Sequence, residues 1–134
     1  PMRGLSFPSL STGKGVIVGV VDQGLDFTHP NFYDKEGKAY RIKQVWESNE
    51  PYSKAEYRTE EELLDAACSF DSDVNTHGTH VTGIAAGGGF DTPYQGVANE
   101  SDMILVATTM QEADIVNGVD YISRRARDWV DLAW

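Results

Sequence analysis

Two imidazoles three residues apart, His77 and His80, head the run His77-Gly-Thr-His-Val-Thr-Gly-Ile-Ala-Ala86. On a helix that spacing puts them one turn apart on one side. Fifty-five residues earlier, Asp22 closes the apolar run Gly15-Val-Ile-Val-Gly-Val-Val-Asp22. A carboxylate at the end of a buried strand and an imidazole at the start of a later helix suit nucleophilic catalysis. The carboxylate fixes the imidazole tautomer, and the imidazole takes the proton of a hydroxyl as it attacks. Spacing along the chain does not bring Asp22 to His77. A turn or capping aspartate, and histidines merely hydrogen-bonded in a buried helix, fit the same residues.

The elements that must position these groups are legible in outline. Continuous Val and Ile over residues 15–22 predict a central strand of a parallel sheet, covered on both faces. Ligands and chemistry collect at the carboxyl ends of such strands, where Asp22 stands. Asp73, Asn75 and Thr76 are residue types that cap a helix start, which opens a helix at His77. Gly78, Gly83, Ala85, Ala86 and Gly87 leave that helix almost bare, built for close approach by other backbone. Each interior Gly costs such a helix roughly 1 kcal/mol relative to Ala, so the space is in use. Residues 103–107, Met-Ile-Leu-Val-Ala, predict a second buried strand. A helix follows over residues 112–127, with Ile115, Val116, Val119, Ile122 and Ala126 on its inward face. Glu112 and Asp114 lie in its first turn, and Arg124, Arg125 and Arg127 in its last, matching the helix dipole. Strand, helix, strand, helix in this order predicts an α/β fold with a mainly parallel sheet and helices on both faces.

The stretch 33–75 differs in character, being charged and rich in turn residues. It is expected to be a surface insert within a single domain spanning 1–134. Residues 41–46 inside it suit a short strand, and Thr59-Glu-Glu-Glu62 is a capping-box pattern opening a helix over 60–68. His29, placed before Pro30, reads as structural. Residues 1–13 read as a connecting arm.

Composition narrows the function classes. With 11 basic against 21 acidic side chains, the net charge of −10 argues against nucleic acid or an anionic membrane as partner, since both require basic surface. No apolar run approaches the length of a membrane span, and no signal segment is visible over residues 1–10. One cysteine, Cys68, rules out an intrachain disulfide. A zinc site would draw on Asp22, His29, His77 and His80. Yet zinc-protease helices need histidines four apart with a Glu between them, which His77-Gly-Thr-His80 lacks. Gly87-Gly-Gly89 follows a helix instead of opening one after a strand, so it does not suit a dinucleotide site.

Val20-Val-Asp-Gln-Gly-Leu-Asp26 with His29-Pro30 after it resembles the aspartate motif of the subtilisin-like serine proteases. Residues 77–86 resemble their histidine motif nearly letter for letter. Gln95-Gly-Val-Ala98 and Asp114-Ile-Val-Asn-Gly-Val-Asp120 are similar to the segments that follow, so the resemblance covers about residues 13–127. It implies the N-terminal portion of a subtilisin-like peptidase domain, incomplete at its C-terminal end. It further implies peptide-bond hydrolysis through an Asp-His-Ser triad, with Asp22 as orienting acid, His77 as general base and His80 as a supporting residue. The expected partner is a polypeptide substrate, and the expected location is secreted or cell-envelope. The 33–75 insert is similar to that of certain bacterial, anaerobe-type relatives. No Gly-Thr-Ser, the core of the family's nucleophile motif, occurs in these 134 residues. The chain alone is therefore expected to be inactive, and a non-catalytic fragment or pseudoenzyme is the alternative. Residues 127–134 stand where the family has a buried strand, which Asp131 suits poorly. Asn31 stands where many members carry a calcium-binding aspartate, so no cofactor or metal site is carried over. Half of a parallel sheet leaves an open edge, from which self-association is expected.

Overall fold

The computed structural model describes residues 11–49, 53–69 and 76–133. Strand β1, Ile17–Asp22, runs parallel to β6, Asp102–Thr108, which runs parallel to β3, Ile42–Asn49. Strand β4, Ser53–Tyr57, closes the far side antiparallel, giving the order β1-β6-β3-β4. A two-stranded ribbon pairs β2, Leu25–Asp26, with β5, Cys68–Ser69.

Side chains alternate across this sheet. Val18 and Val20 of β1 share one face with Met103, Leu105 and Ala107 of β6, where Leu25, Phe27, Phe32, Val45, Leu63 and Ala86 complete the core. Each fully buried Leu, Val, Met or Phe among them contributes about 1.5–3 kcal/mol. Helix α2, His77–Ala86, packs on this face through its last residue. Helix α3, Glu112–Ala133, packs on the other. There Gly118 lies against Val106 and Val21, and Ile122 fills the space left by Gly19. A mainly parallel sheet with helices on both faces is thus the architecture.

Several local expectations change. Strand β1 is covered on both faces, but among the described residues it pairs only with β6, at the sheet's edge instead of its centre. The strand expected over 41–46 is longer and sits between two neighbours. Its residues Ile42 and Val45 are buried, so this part of the 33–75 stretch is sheet interior and not surface elaboration. Polar Lys43, Gln44 and Glu47 disguise it. Helix α1, Glu60–Ala66, starts where the capping box predicts, with the Glu62 N–H donating to Thr59 Oγ1 at 3.1 Å. The Glu62 carboxylate reaches back to the N–H of Arg58, one residue beyond the usual partner, the N–H of Thr59.

Helix α3 runs to Ala133, past the predicted end, because neither Gly nor Pro follows Arg127 to stop it; residues 127–133 are helical, not a buried strand. The three arginines therefore lie inside the helix. Arg124 pairs with Asp120 at 3.0 Å, and Arg125 pairs with Asp128 and lies over the Tyr121 ring. The close seat of Gly118 sets the helix rotation. Val116 and Val119 consequently face outward, against the inward face expected for them.

Candidate active site

Strand β1 delivers Asp22 to its carboxyl end, and α2 begins with His77. Asp73 and Asn75 lie outside the described residues, and Thr76 makes no side-chain capping bond. What fixes the start of α2 is tertiary. A Cβ on Gly78 would collide with the Gly24 carbonyl oxygen and come within 3.2 Å of the Asp22 Cβ. Only glycine lets the helix settle on the turn after β1. One residue on, Thr79 Oγ1 accepts the Asp26 N–H at 2.8 Å, pinning the same helical turn to β2. The close approach read from the bare helix is thus realised at its first turn.

With the helix seated, the His77 Nδ1 stands 2.9 Å from the Asp22 Oδ2. The other carboxylate oxygen, Oδ1, accepts the Gln23 N–H at 2.7 Å. Asp22 is 6% exposed through its side chain, whereas His77 is 71% exposed. A carboxylate accepts only, so the proton on this contact belongs to His77 Nδ1, and in the neutral ring Nε2 keeps its lone pair. An exposed imidazole with a basic Nε2 and an oriented Nδ1–H can receive a proton from a hydroxyl delivered to it.

The other histidines stand apart from this pair. His29 Nδ1 accepts the Asn31 N–H at 3.1 Å and caps the single 3-10 turn Pro30–Phe32, the structural role expected of it. His80 lines a depression of about 240 Å³ with His29, Asn31, Gly83, Ile84 and Tyr94. Among the described residues no group of three or more His, Cys, Asp or Glu side chains could hold a metal ion. Nothing chemical in their side chains marks Gly78 and Thr79 as site residues in the sequence. The nearest signal for them is the pair of small residues lodged between the two histidines.

A mainly parallel α/β sheet carries a carboxylate at a strand end, paired to an imidazole at a helix start. The chain belongs to the subtilase family, whose model matches residues 13–133. It is 33% identical over 118 residues to the serine protease AprX of Bacillus subtilis, covering 82% of this chain and 21% of that protein. To the extracellular serine protease of Serratia marcescens it is 30% identical over 127 residues, covering 92% of this chain and 10% of that one. The solved CspB protease of Clostridium perfringens superposes with a TM-score of 0.70 at 25% identity, over 90% of this chain and 27% of its own. The chain spans between a tenth and about a quarter of the length of these relatives.

Proposed function

We propose that this chain supplies the acid and the base of a subtilisin-type serine endopeptidase, with the nucleophilic serine contributed from outside these 134 residues. The observation that carries the reading is the 2.9 Å contact between a buried Asp22 carboxylate and an exposed His77 ring. In this mechanism His77 Nε2 accepts the serine proton as the hydroxyl attacks the peptide carbonyl. It then returns that proton to the departing amine, leaving an acyl-enzyme that water hydrolyses by the same route. Asp22 stays ionised throughout and steadies the imidazolium. The tetrahedral oxyanion needs donors that also come from outside this chain, each worth on the order of 100- to 1,000-fold in rate. The substrate is a polypeptide. A secreted or cell-envelope location is supported by the extracellular protease among the relatives.

The alternative is a fragment or pseudoenzyme that keeps the scaffold without turnover, and the absence of Gly-Thr-Ser from these residues favours inactivity of the chain by itself. A fluorophosphonate probe tests both readings. The expected result is no labelling of the 134-residue chain and labelling of a longer polypeptide that includes its downstream sequence. Labelling of the isolated chain would overturn the proposed division of the triad. An unlabelled longer polypeptide would favour the pseudoenzyme.

A further inference from the structure

Arg41 enters β3 almost fully buried, at 5% exposure. A guanidinium has five N–H groups, and here each one meets a backbone carbonyl. Nε donates to Tyr33 O at 3.1 Å. Nη1 donates to Asn99 O at 2.8 Å and Ser101 O at 3.0 Å, and Nη2 to Asn31 O at 3.4 Å and to Ala86 O. Among the described residues no carboxylate is bonded to it. Burial pushes its pKa down, while Asp102, Asp34 and Glu100 push it back up from a distance. A guanidinium is not deprotonated in proteins, so Arg41 keeps its charge.

These five oxygens come from three separate pieces of chain. Asn31 and Tyr33 flank Phe32 in and just after the 3-10 turn, Ala86 ends α2, and Asn99 and Ser101 precede β6. Loop carbonyls from several segments converging on one positive centre are the surroundings that a hard cation takes. The family resemblance would put calcium beside Asn31, but the donors there do not fit it. Asn31 offers a neutral carboxamide whose Oδ1 already accepts the Gly89 N–H at 2.8 Å. Its main-chain oxygen accepts the Gly88 N–H, also at 2.8 Å, as well as Arg41. We propose that Arg41 is a built-in cation occupying the place of a structural metal, clamping the carboxyl end of α2 to the loops on either side without any ion. The proposal is independent of turnover, and its test reads stability alone.

The test is thermal unfolding of the 134-residue chain, with and without chelator. The wild-type Tm is expected to be the same in excess EDTA and in millimolar calcium. Arg41→Met is expected to lower Tm by on the order of 10 °C, because five carbonyls each lose the guanidinium donor at once, and among the described residues only that of Asn31 keeps another, the Gly88 N–H. Arg41→Lys keeps the charge but brings only three donors, and is expected to recover part of that loss. Amide exchange in the folded Lys variant should quicken at Gly88 and Gly89 and stay unchanged at the β1–β6 pairing. A wild-type Tm that rises with calcium and falls with EDTA would overturn the proposal, even if Arg41→Met does not fold. So would Arg41→Met melting together with the wild type.

Discussion

The Nδ1 of His77 and the Oδ2 of Asp22 lie 2.9 Å apart although 55 residues separate them in the chain, and one side chain is exposed while the other is buried. The buried partner holds its acceptor still because its second oxygen is anchored by the Gln23 N–H. The exposed partner keeps Nε2 open. Burial on one side and access on the other is what separates this pair from an ordinary surface ion pair, whose net worth is about 0–1 kcal/mol.

Asp22→Asn should reverse the His77 tautomer. The new carboxamide keeps its oxygen on the Gln23 N–H and turns its NH2 toward His77, so Nδ1 must accept and the proton moves to Nε2. Nitrogen-15 shifts of the His77 ring at pH 8 read this directly. In a polypeptide that also carries the nucleophile, turnover should fall on the order of 10⁴-fold. A ring still protonated at Nδ1 in the variant would contradict the assigned contact.

Gly78→Ala should separate the pair without substituting either member. Its methyl group meets a backbone carbonyl, which cannot rotate away, so α2 must lift from the turn after β1. A loss of about 1–3 kcal/mol is expected in urea unfolding, together with loss of the fixed His77 tautomer. Gly83→Ala is the comparison, because its methyl group meets only the Asn31 Nδ2, at 3.0 Å. Helix propensity returns up to about 1 kcal/mol there, so the net loss should be smaller. Equal losses in the two variants would argue against Gly78 as the seat of the helix.

Tyr40 should shape the alkaline limb of stability. Its hydroxyl donates to Phe27 O at 2.7 Å, and burial, aided by Tyr33, Glu60 and Asp26, pushes its pKa well above the ordinary tyrosine range. The folded state therefore favours the neutral phenol. The stabilisation is complete below the unfolded tyrosine pKa of about 10 and is lost as pH rises past it toward the folded value. Tyr40→Phe should cost about 1 kcal/mol at pH 8 and flatten the decline above pH 10 in urea titrations. A decline as steep as that of the wild type would assign the alkaline limb elsewhere.

The sequence exposed what local pattern controls. Apolar runs marked β1 and β6, Thr59 and Glu62 marked the start of α1, and the lean run after His77 marked a helix pressed against other backbone. Elements whose setting depends on distant partners were hidden. Strand β3 reads as polar because Arg41, Gln44 and Glu47 are buried against groups remote in sequence, such as the Trp129 indole, which donates to Gln44 Oε1 at 3.0 Å. The rotation of α3 follows Gly118 and not its two valines. The carbonyl cage of Arg41 is assembled from main chain and leaves no letter in the sequence. The Asp22–His77 pair was readable as two motifs, but the distance between them is a product of Gly78 and Thr79.

Along one flank of β1, the amides and carbonyls face no strand among the described residues, and Val16, Val116 and Val119 are exposed. Bare flanks of this kind recruit further strands. Light scattering should show particle mass climbing with concentration, and Val119→Lys should blunt the climb; a single monomeric mass throughout would tell against it. Since β1 also ends in Asp22, a ribbon laid alongside it would brace the platform from which the carboxylate reaches the imidazole. Company at that flank and order at the proton-handling pair would then rise together.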